Sequence, residues 1–145
     1  AWVMVKREQA KAESLGSIIR PGKVEIIPQY IFRQSKPAVV GVKVYGMIKP
    51  RVGLMNAEGK RVGTILQIQD RSVNIDEATT DMEVALSIRG PTVGRQIQYD
   101  EVLYGDIPDS QVLAIRQKFM EDLTQPELDV YEEIVQIKRD AGRFV

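Results

Sequence analysis

The fold is decided by the stretch FRQSKPAVVGV at residues 32–42, in which one β-rich run ends and a second begins. Two short runs, 24–27 and 30–32, precede it and are separated by Pro28, and a strand at 39–45 follows it. Branched and aromatic residues favour strands, whereas glycine and proline mark the turns between them. This stretch therefore predicts strands that are joined by short connections.

The same pattern continues through the middle of the chain. A turn at 50–53 leads to a short strand, 56–59 reads as a hairpin turn, and further strands are predicted at 83–88 and 101–104. Another strand is predicted to place four alternating residues on one face: Val62, Thr64, Leu66 and Ile68. At least six short strands, punctuated by glycine and proline, predict a mainly β fold, a closed antiparallel β-barrel over residues 20–107. Closure also removes exposed strand edges.

The first residues are predicted to be the end of a connecting helix that covers residues 1–19. Helix formers fill 2–15, and Gly16 stands where the C-terminus of a helix favours glycine. In a signal peptide the positive charges precede the apolar run, whereas here the apolar run AWVMV comes first and Lys6 follows it. We interpret the chain as a piece of a longer protein.

After Pro108 the spacing of apolar residues becomes three or four, which predicts helix. The first stripe contains Val112, Ile115, Phe119 and Leu123. Thr124 and Glu127 have the spacing of a capping box, and Pro126 lies near the start of the helix that this box begins. We therefore expect a two-helix hairpin over residues 108–145.

The composition excludes several chemistries. The 145 residues contain neither cysteine nor histidine, which removes disulfides, zinc thiolate sites and the commonest general base. No apolar run reaches the length of a membrane-spanning helix. A phosphate loop needs four residues between its two glycines and then serine or threonine after Gly-Lys. Here Gly53 and Gly59 enclose five residues, and Arg61 follows Lys60. The sequence predicts a non-catalytic, cytoplasmic protein without cofactor or metal.

The formal net charge of zero is unevenly distributed. Residues 20–69 contain nine Lys/Arg and two Asp/Glu, whereas residues 70–109 contain three Lys/Arg and nine Asp/Glu. One interpretation is that the two halves of a barrel bring these charges together on its surface. The other is a basic face that meets phosphate. A net charge of zero argues against a protein that binds a long nucleic-acid duplex, so no DNA partner is expected.

Three motifs keep their order along the chain: residues 32–42, GKRVGTILQIQD at 59–70, and GPTVGR at 90–95. In this order they resemble the last domain of archaeal and eukaryotic translation initiation factor 5B, the relative of bacterial initiation factor 2. The resemblance covers residues 20–108. It implies a barrel similar to domain two of elongation factor Tu. It also implies that this barrel binds the methionylated acceptor end of initiator tRNA on the ribosome during subunit joining. It also implies a monomer, with GTP hydrolysis in a separate N-terminal domain.

The resemblance assigns the tRNA contacts to four segments. They contain Phe32, Arg33, Ser35, Lys36, Val42, Gln67, Gln69, Asp70, Arg71, Met82, Glu83, Val84 and Ala85. An aromatic ring would stack on a base, glutamines would bond base edges, and cations would neutralise phosphates. Met82 and Val84 would form a slot for the methionyl side chain, since methionine and valine fit a thioether.

Each assignment has a structural alternative. Phe32, Met82 and Val84 fit a barrel core, and Gln67 and Gln69 fit the outward polar face of an alternating strand. Arg71 fits a solvated turn. Asp81 and Asp100 depart from the family pattern, because relatives carry glycine there, although aspartate tolerates positive φ better than most residues.

The helical hairpin carries a second candidate surface. Met120, Val130, Glu132 and Glu133 lie off the main apolar stripes or beside them. The resemblance implies that this tail binds initiation factor 1A, and the acidic residues would favour a basic partner. Alternatively, the apolar members of the set, together with Leu113 and Ile137, form the seam against the barrel. A second interpretation of the whole chain is a protein-binding adapter, in which the hairpin docks initiation factor 1A and the barrel mainly contacts the ribosome without direct tRNA recognition.

Overall fold

The structure, a computed structural model, describes residues 18–142. The predicted connecting helix therefore lies outside the described residues, apart from its last two positions. Eight strands occur in the described part of the chain. They are β1 (Gly22–Arg33), β2 (Ala38–Ile48), β3 (Gly53–Met55), β4 (Arg61–Asp70), β5 (Val73–Ile75), β6 (Ala78–Thr79), β7 (Glu83–Arg89) and β8 (Val102–Gly105).

Six of these strands close into an antiparallel barrel, which confirms the predicted fold. Neighbouring strands follow the order β1-β8-β3-β4-β7-β2, and β2 pairs back with β1. The short strands β5 and β6, which the sequence did not predict, pair with β4 and β2. Because the ring pairs both sides of its strands, the barrel protects the edges that an open sheet would expose.

The two predicted runs around Pro28 are one strand, β1, that contains a bulge of four residues. Ile26 pairs with Val42 and Ile31 pairs with Val40, so residues 27–30 lie opposite Gly41 alone. Proline cannot donate to the hydrogen-bond ladder, and the bulge removes the need for that bond. The prediction of a break at Pro28 was therefore wrong, and the residues around it project from the barrel wall.

A second irregularity lies in β4. Ile65 pairs with Ile88 and Gln67 pairs with Ser87, so Leu66 is an additional residue in this strand. As a result Ile65 and Ile68 are both buried, whereas Leu66 is 38% exposed. The predicted alternation was wrong at Leu66, because one inserted residue reverses the inside and outside positions of the strand.

The predicted two-helix hairpin follows the barrel. Its first part begins as α1 (Asp109–Ala114) and continues as a π-helical turn (Ile115–Phe119) and a 3₁₀ turn (Met120–Asp122), so it is not a uniform α-helix. The second part, α2 (Gln125–Asp140), begins with the predicted capping box, in which Thr124 and Glu127 bond each other's backbone N–H. Gly142 follows α2 with φ of 74°, as expected after a helix.

Two apolar cores are present in residues 18–142. One fills the barrel and includes Val42, Val84, Leu86 and Ile88. The other lies between the barrel and the hairpin, where Met55 and Ile107 pack with Ile134 and other residues of the helices. The hairpin is thus packed on the barrel over an apolar surface.

Ionic and polar contacts support the second core. The Arg20 guanidinium pairs with the buried Glu127 carboxylate, with Nη2 2.8 Å from Oε1. Lys138 is fully buried, and its Nζ lies 3.0 Å from Asp109 and 3.3 Å from Asp106. Upstream of the barrel, the Ile19 N–H donates to Gln111 Oε1 at 2.8 Å. The contacts of Arg20 and Ile19 attach the entry of the barrel to the hairpin, and the pair of Lys138 with Asp106 attaches the segment that follows β8.

Candidate functional site

A groove with a volume of about 570 Å³ crosses the outer wall of the barrel. It lies over β1, β2 and β7 and is bounded by the hairpin of β4 and β5. Its lining consists of Ile27, Tyr30, Phe32, Val39, Gly41, Val42, Gln69, Arg71, Ser72, Glu83, Val84 and Ala85. Seven of the thirteen tRNA-contact residues predicted from the sequence therefore border one groove.

One wall of the groove is aromatic. Tyr30 and Phe32, at the end of the β1 bulge, are 50% and 66% exposed, and their rings stack with centroids 6.3 Å apart and planes inclined by 15°. The alternative that Phe32 belongs to the core is wrong. Gly41 lies beneath this wall, where an added Cβ would come within 2.6 Å of the Tyr30 Cβ. Glycine at this position therefore allows Tyr30 to lie close to the sheet.

The floor of the groove includes two small residues, Gly41 and Ala85, between Val39 and Glu83. Gly41 pairs with Ala85, and Ala85 pairs in turn with Gln69. The neighbouring pair, Val42 and Val84, belongs to the opposite face, and both side chains are buried in the barrel core. The predicted methionyl slot of Met82 and Val84 is therefore corrected, since Val84 is buried and the part of the floor open to a ligand is Ala85, beside Gly41 and the Tyr30 side chain that covers it.

The other wall is the hairpin between β4 and β5. Its two turn residues, Arg71 and Ser72, have φ of 53° and 68°. Positive φ at both central positions defines the turn type that usually contains Asn-Gly, because other residues are strained there. Gln69 approaches the floor and donates from Nε2 to Asn74 Oδ1 at 3.0 Å. The hairpin thus holds an amide and an exposed guanidinium over the groove.

The six other predicted contact residues lie beside the groove. Met82 is half-buried against the barrel core, and its sulfur accepts from the Thr79 N–H at 3.4 Å. Gln67 and Asp70 precede and follow the groove-lining residue of β4. Arg33, Ser35 and Lys36 occupy the connection from β1 to β2, where Arg33 Nε donates to the Ser35 carbonyl at 2.9 Å.

The predicted contact set left out five lining residues: Ile27, Tyr30, Val39, Gly41 and Ser72. Gly41 was visible as a glycine within a strand, which is a signal for close approach by another part of the chain. Of the two aspartates at positions where the resemblance implies glycine, Asp81 has φ of 74°, whereas Asp100 is not among the residues with positive φ. Within residues 18–142, no group of three or more His, Cys, Asp or Glu side chains is arranged to hold a metal ion.

The predicted docking set on the hairpin does not form one exposed patch. Val130 is 1% exposed and Ile137 is 9% exposed, and both lie in the second core. Met120 packs at the margin of that core. Glu133 pairs with Lys23 at 2.8 Å, whereas Glu132 is exposed. Val130 is therefore a seam residue, and Leu113, at 51% exposure, is the apolar residue that faces solvent.

The described residues define a closed β-barrel domain that has an aromatic-walled groove on its outer surface. The chain belongs to the elongation factor Tu domain 4 family, whose model matches residues 20–104. None of the described helices has the length and apolar character to cross a bilayer.

Relatives and a solved structure agree with this assignment. The chain is 45% identical over 144 residues to "Probable translation initiation factor IF-2" of Methanothrix thermoacetophila, and 46% identical over 145 residues to the protein of that name from Staphylothermus marinus. Each alignment includes 99% of this chain but only 24% of the relative, so the chain spans about a quarter of the length of these relatives. The crystal structure of GDP-bound aIF5B from Aeropyrum pernix matches 97% of this chain and 24% of that one, with a TM-score of 0.87 and 39% identity. The resemblance predicted from the sequence is confirmed, and the chain is grouped with domains of translation initiation factors.

Proposed function

We propose that this chain binds the methionylated acceptor end of initiator tRNA on the ribosome during subunit joining. The observation that carries the proposal is the groove, which combines an exposed pair of stacked rings with a floor that includes small residues. Single-stranded ends of RNA are recognised by aromatic stacking and by hydrogen bonds to unpaired bases. The domain would act as a monomer in the cytoplasm, as part of a longer factor.

The chemistry of an aminoacyl end suits each part of the groove. A terminal adenine stacks on Phe32 or Tyr30, and Gln69 offers its second Nε2 hydrogen and its Oε1 acceptor to a base edge, because its first Nε2 hydrogen bonds Asn74. The methionyl side chain lies over Ala85, beside the Tyr30 side chain that covers Gly41. Arg71 neutralises a phosphate from the strained turn of the β4–β5 hairpin.

Replacing the aromatic wall is expected to weaken binding of charged initiator tRNA. Phe32→Ala and Tyr30→Ala should each cost about 1–3 kcal/mol, the usual contribution of one base–aromatic stack. Leu113→Ala is the matched control, because Leu113 is similarly exposed but lies on the hairpin. Titration of the isolated chain with charged and uncharged initiator tRNA measures both effects. Equal affinity of the wild-type chain for the two forms would contradict the proposal.

We also propose that GTP hydrolysis belongs to a different part of the longer factor. A purified sample of this chain should show no GTP turnover above the buffer, because its sequence lacks a phosphate loop and histidine. Turnover that disappears when Lys60 is replaced by alanine would overturn this part of the proposal.

A second, separable role is docking of initiation factor 1A by the hairpin. Its support is Leu113, which is exposed on α1, together with exposed acidic residues of α2 such as Glu132. Leu113→Glu should weaken capture of initiation factor 1A several-fold and leave tRNA affinity unchanged, which pull-down and titration can measure. Undiminished capture would remove the hairpin face around Leu113 from consideration.

A further inference from the structure

The carboxylate of Glu83 is the part of the groove that the contacts proposed above do not use. Among the described residues that line the groove it is the only acidic one, and it lies at the start of β7, on the same face as Ala85. Glu83 is exposed, and within residues 18–142 its carboxylate takes part in no ion pair and no side-chain hydrogen bond. A negative charge without a counterion therefore borders the part of the floor that is open to a ligand.

The cation that could neutralise Glu83 is turned away from it. Lys43 of β2 lies directly opposite Glu83 in the sheet, a position from which opposite charges can pair. Its ammonium instead lies over an aromatic ring, with Nζ 5.6 Å from the ring centroid of Tyr45. Lys43 and Tyr45 project from the same face of β2, and the electrons of an aromatic ring attract an ammonium group. Tyr45 thus holds Lys43 away from the groove.

Contacts with the helical hairpin hold the Tyr45 ring in place. Tyr45 packs against the core between the barrel and the helices. Lys23 Nζ lies 5.2 Å from the centroid of the same ring and 2.8 Å from the Glu133 carboxylate of α2. The ring that receives Lys43 is therefore positioned by its own packing and by a second, paired lysine.

We propose that Glu83 binds the free α-ammonium group of a methionyl ester, and that Tyr45 keeps this carboxylate available by holding Lys43. The inference rests on the proposed function, in which the methionyl group lies over Ala85. The protonated α-amino group is the positive charge of such a ligand, and a hydrogen bond between ammonium and carboxylate is stronger than one between neutral groups. Arg71, the other charged residue of the lining, suits a phosphate instead. The groove accordingly distinguishes a free amino group from an acylated one.

The test compares two forms of initiator tRNA, one carrying methionine and the other carrying N-acetylmethionine, whose amino group has no charge. Each is titrated with the whole chain at about pH 6, where an α-amino group is protonated. The wild-type chain should bind the unblocked form about tenfold more tightly, because a hydrogen bond between charged groups contributes a factor of about ten or more. Glu83→Gln should remove this difference. The matched control is Glu25→Gln, which removes an exposed carboxylate on the other side of Lys43 and should retain the difference.

Variants of Tyr45 test its positioning role. Tyr45→Leu removes the ring, so Lys43 can pair with Glu83 and the preference for the unblocked form should fall several-fold. Tyr45→Phe keeps the ring and should keep the preference. Adding Lys43→Gln to Tyr45→Leu should restore the preference, a recovery that damage to packing would not produce. Thermal melting verifies that each variant is folded.

The outcomes separate this inference from the proposed function. Equal affinity of the wild-type chain for charged and uncharged tRNA would overturn both. If charged tRNA is preferred but acetylation leaves the affinity unchanged, only the inference is overturned, as it is if Glu83→Gln retains the preference for the unblocked form. The role of Tyr45 is overturned if Tyr45→Leu loses no preference, or if Lys43→Gln does not restore what is lost.

Discussion

Val130→Asp is expected to unfold the helical hairpin from the barrel and to lower the free energy of unfolding by about 4 kcal/mol, because it buries a charge without a partner. Val130 is 1% exposed in the core between barrel and helices, among residues such as Ile107 and Ile134. A carboxylate at this position meets aliphatic side chains from both parts of the molecule. Urea unfolding followed by circular dichroism measures the loss.

Two variants calibrate this result. Leu113→Asp places the same charge at an exposed position of the hairpin, and such surface changes stay within about 0.5 kcal/mol. Met120→Asp lies at the margin of the second core and should have an intermediate effect. If Val130→Asp were as stable as Leu113→Asp, the hairpin would not be packed on the barrel in solution. A partner-binding role for Val130 would then become possible again.

Glu127→Ala is expected to destabilise the chain by about 2–4 kcal/mol, because it removes a helix cap and leaves a partly buried guanidinium without its partner. Glu127 is 2% exposed, and its Oε1 accepts from the Thr124 N–H at 2.9 Å and from Arg20 Nη2 at 2.8 Å. A single carboxylate thus joins the entry of the barrel to the start of α2. Glu132→Ala, on the exposed face of α2, is the control and should be nearly neutral.

The same carboxylate makes stability depend on pH. Burial acts to raise the pKa of Glu127, but hydrogen bonds from Arg20 and Thr124 outweigh burial, so its pKa lies below the ordinary value of 4.5. A lowered folded-state pKa means that the stabilisation is fully present above pH 4.5 and is lost as the pH falls through the folded-state value. The difference in unfolding free energy between wild type and Glu127→Ala should therefore shrink in acid. A constant difference from pH 7 to pH 3 would show that the pair with Arg20 does not contribute.

Local chemistry explains why part of the structure was predictable. The capping box of Thr124 and Glu127 and the positive φ of Asp81 depend on residues that are close in sequence, and both were predicted correctly. The bulges in β1 and β4 were not predicted, because a bulge is defined by the partner strand. The exposure of Phe32 followed from a second register shift in β1, since Ile31 pairs with Val40 and Arg33 pairs with Val39, which leaves Phe32 without a partner in β2.

The amino-acid sequence by itself determined the barrel, the hairpin that follows it and the family, because strand propensity, turn residues, capping and motif order are all local properties of the chain. Tertiary structure alone decided which residues share a surface. Pairing of β2 with β7 moved Val42 and Val84 into the core and left Gly41 and Ala85 as the floor of the groove. Packing of the hairpin buried Val130, and the contact between Val93 and Gln34 brought two distant basic segments to one end of the barrel. Strand register and packing depend on residues far apart in the chain, so no local pattern carries this information.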